Sequence, residues 1–332
     1  MWDFEIGRTL GIVIRTWPFV ILRIAVYFSI TVAYIVSTGA GAGIGYGVGH
    51  IAGDDGPFTF AMWGGIFGFG LVSMLFYWLR EYILYLVKAG HIAVMVHLID
   101  GVDVPGGQGQ IAYAQGVVRE RFAEANVLFV LDQLIKGVVR VITGLIGGVA
   151  AFLPIPGLQG LAKFVDAVIR MSLTYVDEII LAYNIRVRST APFETGRQGV
   201  VLYAQNAKTM LKNAIWLTVM TWVLGIVVFF LTLAPAGAIL YAMPGELAGW
   251  AFVFAIVFAW AFISAFIEPF VVAALMQVYF KKIEGQVPDP AWDMRLAETS
   301  KHFRELKDRA LASVGGSRWG GAPGSRQSSQ SL

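Results

Sequence analysis

Long apolar segments without charged residues constrain this chain more than any other feature of its sequence. Residues 58–79 and 214–233, for example, contain no Asp, Glu, Lys or Arg. About 20 apolar residues are enough to cross the ~30 Å hydrocarbon layer of a bilayer as an α-helix. Only 14% of all residues are charged, whereas a soluble domain has roughly a quarter. The sequence therefore predicts an all-α fold, that of a polytopic helical membrane protein with the lipid bilayer as its partner.

Lys and Arg residues are distributed unevenly among the connecting segments. The loops near 50–57, 153–162 and 235–249 have none, and nearly all those outside the spans lie in 1–16, 88–125, 186–213 and 281–332. The positive-inside rule then predicts cytoplasmic termini and about six transmembrane helices, in a bacterial inner membrane. Four spans fit equally well if residues 126–188 lie at the inner surface. Labelling of a Gly157→Cys variant from outside indicates six spans, and labelling only after permeabilisation indicates four.

The predicted organisation has three parts. A transmembrane domain covers 1–283, a cytoplasmic amphipathic helix covers 284–314, and a disordered tail rich in Gly, Ser and Gln covers 315–332. Apart from the segment 126–188, the spans are expected at about 18–49, 58–79, 214–233 and 250–280.

Two rows of glycines at four-residue spacing occur in the first predicted span. One row is Gly39, Gly43 and Gly47, the other is Gly41, Gly45 and Gly49, and the next span has Gly64 and Gly68. Small residues at this spacing let membrane helices approach closely. We therefore expect the first two spans to pack against each other.

Residues 126–188 form two apolar arms that both carry charges. On the first arm Asp132, Lys136 and Arg140 share a helical face, because they are spaced by four residues. On the second arm the charged face consists of Asp166, Arg170, Asp177 and Asn184, with Glu178 beside them. An ionised side chain at mid-membrane costs about 2.5–3.5 kcal/mol even on the mildest scale. The two faces are therefore expected to meet, with Lys136 near the depth of Asp177.

Three interpretations of this hairpin remain open. In the first, the charged faces line a path for a solute or ion across the membrane. In the second, they form a buried structural seam of ion pairs. In the third, the hairpin is amphipathic and lies on the membrane surface.

Glu268 and Pro269 interrupt the last predicted span near its middle. Proline removes a backbone donor and frees the carbonyl about one turn before it. A carboxylate beside such a helix break is typical of transporters, and a desolvated Glu268 could carry a proton. The alternative is a kinked packing helix with a protonated or capped Glu.

The remaining polar residues give no catalytic or metal-binding constellation. The sequence has no Gly-x-Ser-x-Gly elbow and no cysteine, and its four histidines lie in distant segments or on different helical faces. We therefore expect neither an enzyme nor a metal site, no cofactor, and no nucleic-acid partner.

Four short motifs occur between residues 122 and 300. They are FVLD at 129–132, YVDE at 175–178 with Asn184 and Arg186, YAQNAK at 203–208 with Leu211 and Asn213, and VYF at 278–280 before a polar tail. Together they resemble the conserved C-terminal region of the choline-transporter-like family. The resemblance implies movement of a small amine or a lipid-related solute. It assigns no binding residue, because the chain lacks the family's larger number of spans and its large extracellular loop.

The leading functional hypothesis is a transporter-like protein that moves a small solute past the charged hairpin and Glu268. The alternative is a non-transporting scaffold or lipid-interacting protein that uses its basic cytoplasmic segments, each basic residue contributing about 1 kcal/mol near an anionic surface. Six spans are few for a transporter that acts alone, so a homodimer is expected.

Overall fold

The computed structural model describes residues 2–51, 56–107, 109–121, 125–151, 173–188, 190–241, 256 and 259–319. These residues are predominantly helical and contain no β-strand, which confirms the predicted all-α class. In chain order the α-helices are α1 (Ile6–Arg15), α2 (Trp17–Ile51), α3 (Pro57–Ile99), α4 (Gly109–Arg121), α5 (Ala125–Ala151), α6 (Val176–Val187), α7 (Pro192–Gln205), α8 (Ala207–Tyr241), α9 (Glu268–Ile283), α10 (Pro290–Thr299) and α11 (Lys301–Trp319). Asp166 and Arg170 lie outside the described residues, as does the predicted turn at 154–157.

The chain divides into two compact units. The first comprises Met1–Val118 and Lys212–Val278, and the second comprises Arg119–Leu211 and Tyr279–Leu332. Each unit therefore combines segments that are far apart in the sequence. Their boundaries do not follow the predicted division at residues 283 and 284.

Among the described residues, four helices are long and apolar enough to cross a membrane. They are Trp17–Ile51, Tyr82–Ile99, Ala207–Leu233 and Ala259–Ile283. Many of their large apolar side chains point outwards: Phe28, Ile44, Phe230 and Leu231 are each at least 64% exposed. Soluble monomers rarely expose large contiguous apolar patches, so these faces suit lipid. The length, the apolar composition and the exposed apolar side chains of these helices indicate that the chain is a helical membrane protein.

The third helix, α3, is a single helix of 43 residues. It contains both the predicted second span, 58–79, and the apolar segment 82–99. At ~1.5 Å per residue it is about 64 Å long, roughly twice the thickness of the hydrocarbon layer. In its second half Ala89, Ile92 and Ala93 are fully buried in the first unit. Both apolar segments therefore belong to one helix, and Tyr82–Ile99 is the part of it that is long and apolar enough to cross a membrane.

The helices α2 and α3 pack side by side, as predicted for the first two spans. A β-carbon on Gly41 would meet the carbonyl oxygen of Gly64, and a β-carbon on Gly64 would meet that of Gly41. Further along, the Ser37 hydroxyl donates to the Gly68 carbonyl at 2.8 Å. The two backbones approach this closely because glycine has no side chain.

Only one of the two glycine rows lies in this helix contact. The row that faces α3 consists of Gly41, Gly45 and Gly49. The other row consists of Gly39, Gly43 and Gly47, and no atom of the described residues lies within 4 Å of a β-carbon added there. This second row therefore does not take part in the contact with α3, and its predicted packing role stays a prediction. The glycines of the second span, Gly64 and Gly68, lie in the contact as predicted.

The second unit is built from α5, α6, α7, α10 and α11. The helix α5 packs against α6, α7 and α11, and it buries Leu131, Ile135 and Val138. At Gly137 the ring of His302 on α11 leaves no room for a β-carbon. The first half of α5 is therefore covered by other helices of this unit, including the charged C-terminal helix.

The ends of several helices differ from their predicted positions. Leu173–Tyr175 is a turn and α6 begins at Val176, so the predicted second arm is not one continuous helix. The helix α8 continues to Tyr241 through Pro235, where a loop was predicted. Neighbouring helices in a membrane protein can satisfy the backbone groups that a proline frees.

Both terminal regions are also more helical than predicted. The N-terminal helix α1 was not predicted; it buries Thr9, whose hydroxyl accepts a hydrogen bond from Gln277 at 2.8 Å. The predicted C-terminal helix is two helices, because Ser300 caps α11 by accepting from the Phe303 N–H at 3.2 Å. The second of them extends to Trp319, beyond the predicted start of disorder at 315.

Candidate functional site

Arg23, Lys88 and Glu268 form a charged cluster in the first unit, and each lies on a candidate membrane-spanning helix. Arg23 Nη1 lies 3.4 Å from Glu268 Oε2, and Lys88 Nζ lies 3.8 Å from the same oxygen. The Arg23 side chain is 2% exposed, whereas those of Lys88 and Glu268 are 29% and 22% exposed. The cluster is therefore closed around Arg23 and partly open at Lys88 and Glu268.

A π-helical turn explains why Arg23 also binds the backbone of this helix. The turn spans Ile263–Ile267, directly before Glu268 and Pro269. In a π-helix the N–H of residue 269 would donate to the carbonyl of residue 264, and proline has no N–H to donate. Arg23 Nη1 donates to this Ser264 carbonyl at 3.2 Å. The predicted interruption at Glu268 and Pro269 thus takes the form of a π-turn, and the helix continues through it.

The environment of Glu268 contains two cationic side chains. The sequence suggested either a desolvated carboxylate that could carry a proton or a protonated or capped Glu on a kinked packing helix. In the structure Glu268 contacts two cations, Arg23 and Lys88. Glu268 is therefore an ion-paired carboxylate, and a role in carrying a proton stays a prediction.

His91, on α3, is fully buried and lies within electrostatic reach of Arg23. Its Nε2 lies 2.8 Å from the Thr16 hydroxyl, which itself donates to the Val13 carbonyl at 3.0 Å. A hydroxyl has one proton, so we assign the proton of neutral His91 to Nε2, which donates to Thr16. His97 makes a separate hydrogen bond, to Tyr113 at 2.9 Å. Each of these two histidines therefore has its own partner.

The predicted meeting of the hairpin charges is found in the second unit, between α5 and α6. Lys136 Nζ lies 2.7 Å from Asp132 Oδ2 and 3.6 Å from Asp177 Oδ2. The aspartate side chains are 4% and 10% exposed, whereas that of Lys136 is 38% exposed. Arg140, one turn further along α5, is exposed. The expected proximity of Lys136 and Asp177 is correct.

The other two predicted residues on α6 are buried in the same unit. Glu178 is 6% exposed, and Asn184 is 2% exposed and donates to the Ile180 carbonyl at 3.1 Å. In the described part of the hairpin Lys136 thus lies close to two largely buried aspartates, and the three interpretations of the hairpin stay predictions. A path along these residues stays a prediction, and Glu268 belongs to the other unit.

Comparisons with known proteins assign this chain to no family. No protein-family model, curated protein or solved structure matches the chain. The resemblance to the choline-transporter-like family therefore stays a prediction.

Sequence reasoning identified Glu268 but missed Arg23 and Lys88. Arg23 is the only charged residue in 18–49, and an isolated charge in an apolar span is itself a signal of function. That signal could have found Arg23. Lys88 lies in a segment with other polar residues and carried no comparable signal.

A second charged cluster joins α7, α10 and α11 of the second unit. The Arg197 guanidinium binds both oxygens of Glu194, at 2.9 and 2.7 Å, and also contacts Asp293. Lys307 Nζ donates to the other oxygen of Asp293 at 2.7 Å. The hydrogen bonds from Arg197 lower the pKa of Glu194. Burial acts to raise the pKa of Asp293, but the hydrogen bond from Lys307 and the charge of Arg197 outweigh it and lower that pKa.

Acid should release the C-terminal helices from this cluster. A carboxylate whose pKa is depressed by folding contributes stability above its unfolded pKa, about 3.9 for Asp and 4.3 for Glu, and loses it as the pH falls through the folded value. We therefore expect the amides of 290–312 to be protected from hydrogen exchange at pH 7 and to lose protection below about pH 4.

Two variants make this measurement specific. Asp293→Asn should weaken the protection already at pH 7 and flatten its pH dependence. Glu305→Gln removes an exposed i,i+4 pair with Arg309 on the same helix and should behave like the parent protein. Equal protection of the parent protein at pH 7 and pH 3, after correction for intrinsic exchange rates, would contradict the assignment.

Proposed function

We propose that the chain is a transporter-like membrane protein that moves a small solute past the cluster of Arg23, Lys88 and Glu268. The observation that carries this proposal is the position of the cluster, on three candidate spans and at a π-turn. Ionisable groups within membrane spans are expensive and mark solute or ion pathways by default. π-Turns and interrupted helices are frequent at such sites, because they offer backbone carbonyls that the helix does not use.

For the topology we propose four membrane crossings, by α2, α3, α8 and the helix Ala259–Ile283, with both termini in the cytoplasm of a bacterial inner membrane. Helix α5 supports this topology, because its first half packs against the charged helix α11 and is not surrounded only by apolar residues. The Lys and Arg residues outside the spans then lie on one side of the membrane. This topology is the four-span alternative of the sequence analysis.

The substrate proposed from the resemblance is a small amine or a lipid-related compound. Four crossings are few for a transport path, so we propose that two copies of the chain assemble. The exposed row of Gly39, Gly43 and Gly47 is the surface that would suit such close helix packing.

Replacing Glu268 by glutamine tests the transport proposal. Glu268→Gln keeps the shape of the side chain but removes the charge that both cations contact. We expect the uptake of the transported solute to fall by about tenfold or more, equivalent to ~1.4 kcal/mol, while the protein still inserts into the membrane. The measurement compares the uptake of labelled amines, glycerol phosphate and inorganic phosphate by cells with and without the gene.

The matched control is Glu284→Gln. Glu284 is an exposed carboxylate just after the end of the same helix, and its replacement should leave uptake unchanged. Asp177→Asn tests the hairpin in the same assay and is expected to have the smaller effect. Full uptake by the Glu268→Gln protein would remove this residue from the mechanism.

A scaffold or lipid-interacting role is the second candidate, and one observation favours it. The basic residues at the ends of α8 and α9 are exposed, namely Lys208, Lys212, Lys281 and Lys282. Near an anionic lipid surface each contributes about 1 kcal/mol, and this role needs no solute path. Unchanged uptake of every solute in cells with and without the gene would favour this candidate.

A further inference from the structure

The guanidinium of Arg23 uses only one of its three nitrogen atoms in the cluster. Nη1 donates to the Ser264 carbonyl at 3.2 Å and lies 3.4 Å from Glu268 Oε2. Nε and Nη2 are buried, and neither has a hydrogen-bond partner in the part of the chain that the structure describes. Buried donors on a charged group are rarely left unpaired in native proteins, so we expect these two atoms to bind a hydrogen-bond acceptor.

The two remaining nitrogen atoms form one edge of the planar guanidinium. On this edge the Nε–H bond and one Nη2–H bond point in the same direction, which matches the two oxygens of a carboxylate or a phosphate. A water molecule could accept these bonds, but it brings no negative charge. An oxyanion accepts both bonds and also supplies the charge that a buried cation favours.

The rest of the cluster suits the same chemistry. Lys88 and Arg23 contact the same oxygen of Glu268, so two cations share this carboxylate oxygen. The side chains of Lys88 and Glu268 are partly exposed, whereas the Nε and Nη2 atoms of Arg23 are buried, so an oxyanion has to reach this edge from the side of Lys88 and Glu268. Arg23 lies six residues after Trp17, where α2 begins, about 9 Å along the helix. A solute or a lipid headgroup that enters from this end of α2 therefore has a short distance to travel.

We infer that the Nε–Nη2 edge of Arg23 binds an oxyanion, a carboxylate or phosphate group, carried by a small solute or by a lipid headgroup. This inference rests on the proposed function, since it names the chemical class of the solute that the cluster takes. Of the two substrates proposed above, a phosphate-bearing, lipid-related compound fits this edge, whereas a purely cationic amine would meet two cations.

Calorimetric titration of the purified full chain in phospholipid-free detergent tests the inference. Inorganic phosphate, acetate and a short-chain phosphatidylglycerol are titrated separately at constant ionic strength. We expect saturable binding of at least one of them, with a Kd about tenfold or more higher in Arg23→Lys, because lysine keeps the charge but has no fork of parallel N–H bonds. Arg15→Lys changes an exposed arginine and should bind like the parent protein.

The three titrants distinguish the source of the oxyanion. Binding of inorganic phosphate or acetate assigns it to a solute, and binding of the phosphatidylglycerol alone assigns it to a lipid headgroup. Absence of saturable binding for all three, or equal binding by Arg23→Lys, would overturn the inference. If Arg23→Lys does not fold, the thermal midpoint of the parent protein decides: it should rise with the bound titrant and not with chloride at equal ionic strength.

The binding and uptake experiments can fail independently. Arg23-dependent binding without any uptake sensitive to Glu268→Gln would sustain this inference and remove the transport proposal. Uptake that is sensitive to Glu268→Gln, without oxyanion binding, would sustain the transport proposal and remove this inference.

Discussion

Replacing Gly41 by leucine is expected to separate α2 from α3 and to destabilise the first unit strongly. A β-carbon at this position would meet the carbonyl oxygen of Gly64, which belongs to a helix backbone and cannot move aside as a side chain can. Overpacking of a well-packed contact costs about 1–3 kcal/mol and occasionally more, and we expect about 3 kcal/mol here. Tryptophan fluorescence during titration with SDS in mixed micelles measures the loss.

The same helix supplies the matched control for this experiment. Gly43 lies two residues away, and a β-carbon there would have no atom within 4 Å. Gly43→Leu should therefore change the unfolding free energy of the protomer by less than about 0.5 kcal/mol, as surface substitutions usually do. Any loss of assembly, read by crosslinking in the same samples, would report on the proposed contact between two copies. Equal destabilisation by both variants would show that the α2–α3 contact is not as described.

Removing the charge of Arg23 is expected to destabilise the first unit nearly as much. Arg23→Met leaves the Ser264 carbonyl and the Glu268 carboxylate without this buried donor. Loss of one partner from a buried ion pair costs about 3–5 kcal/mol, and we expect the lower end because Lys88 still contacts Glu268. Glu268→Met should cost a similar amount, since Arg23 then stays buried beside fewer acceptors.

The double variant isolates the interaction between the two charges. If Arg23 and Glu268 stabilise each other, the combined replacement should lose about 1–3 kcal/mol less than the sum of the two single losses. The same SDS titration provides all three values. Strict additivity would mean that the two side chains act separately, and it would weaken the cluster as the centre of the proposed site.

The sequence predicted the α2–α3 contact but not the face of α2 that makes it. Both glycine rows have the same four-residue spacing, so a pattern of small residues favours them equally. The choice depends on how α2 is rotated toward α3, and this rotation is fixed by contacts along the pair, such as Ser37 with Gly68 and Phe19 with His91. Those contacts are made between residues far apart in the sequence.

The charged hairpin shows the same division between local and tertiary information. The i,i+4 pair of Asp132 and Lys136 follows from helical spacing alone, and the approach of Lys136 to Asp177 was inferred from rise per residue. The sequence could not decide what surrounds this pair. Packing of α5 against α7 and the charged helix α11 places it in the second unit.

By itself the sequence determined that this chain is helical and apolar enough for a bilayer, because uncharged stretches of about 20 residues have few other stable forms. It also located the irregular backbone at Glu268, because proline lacks an N–H whatever its neighbours are. The partners of this irregularity were decided only by the tertiary structure. Arg23 and Lys88 reach Glu268 from helices more than 170 residues away in the chain, and a charge in an apolar segment specifies that it needs a partner without specifying which one.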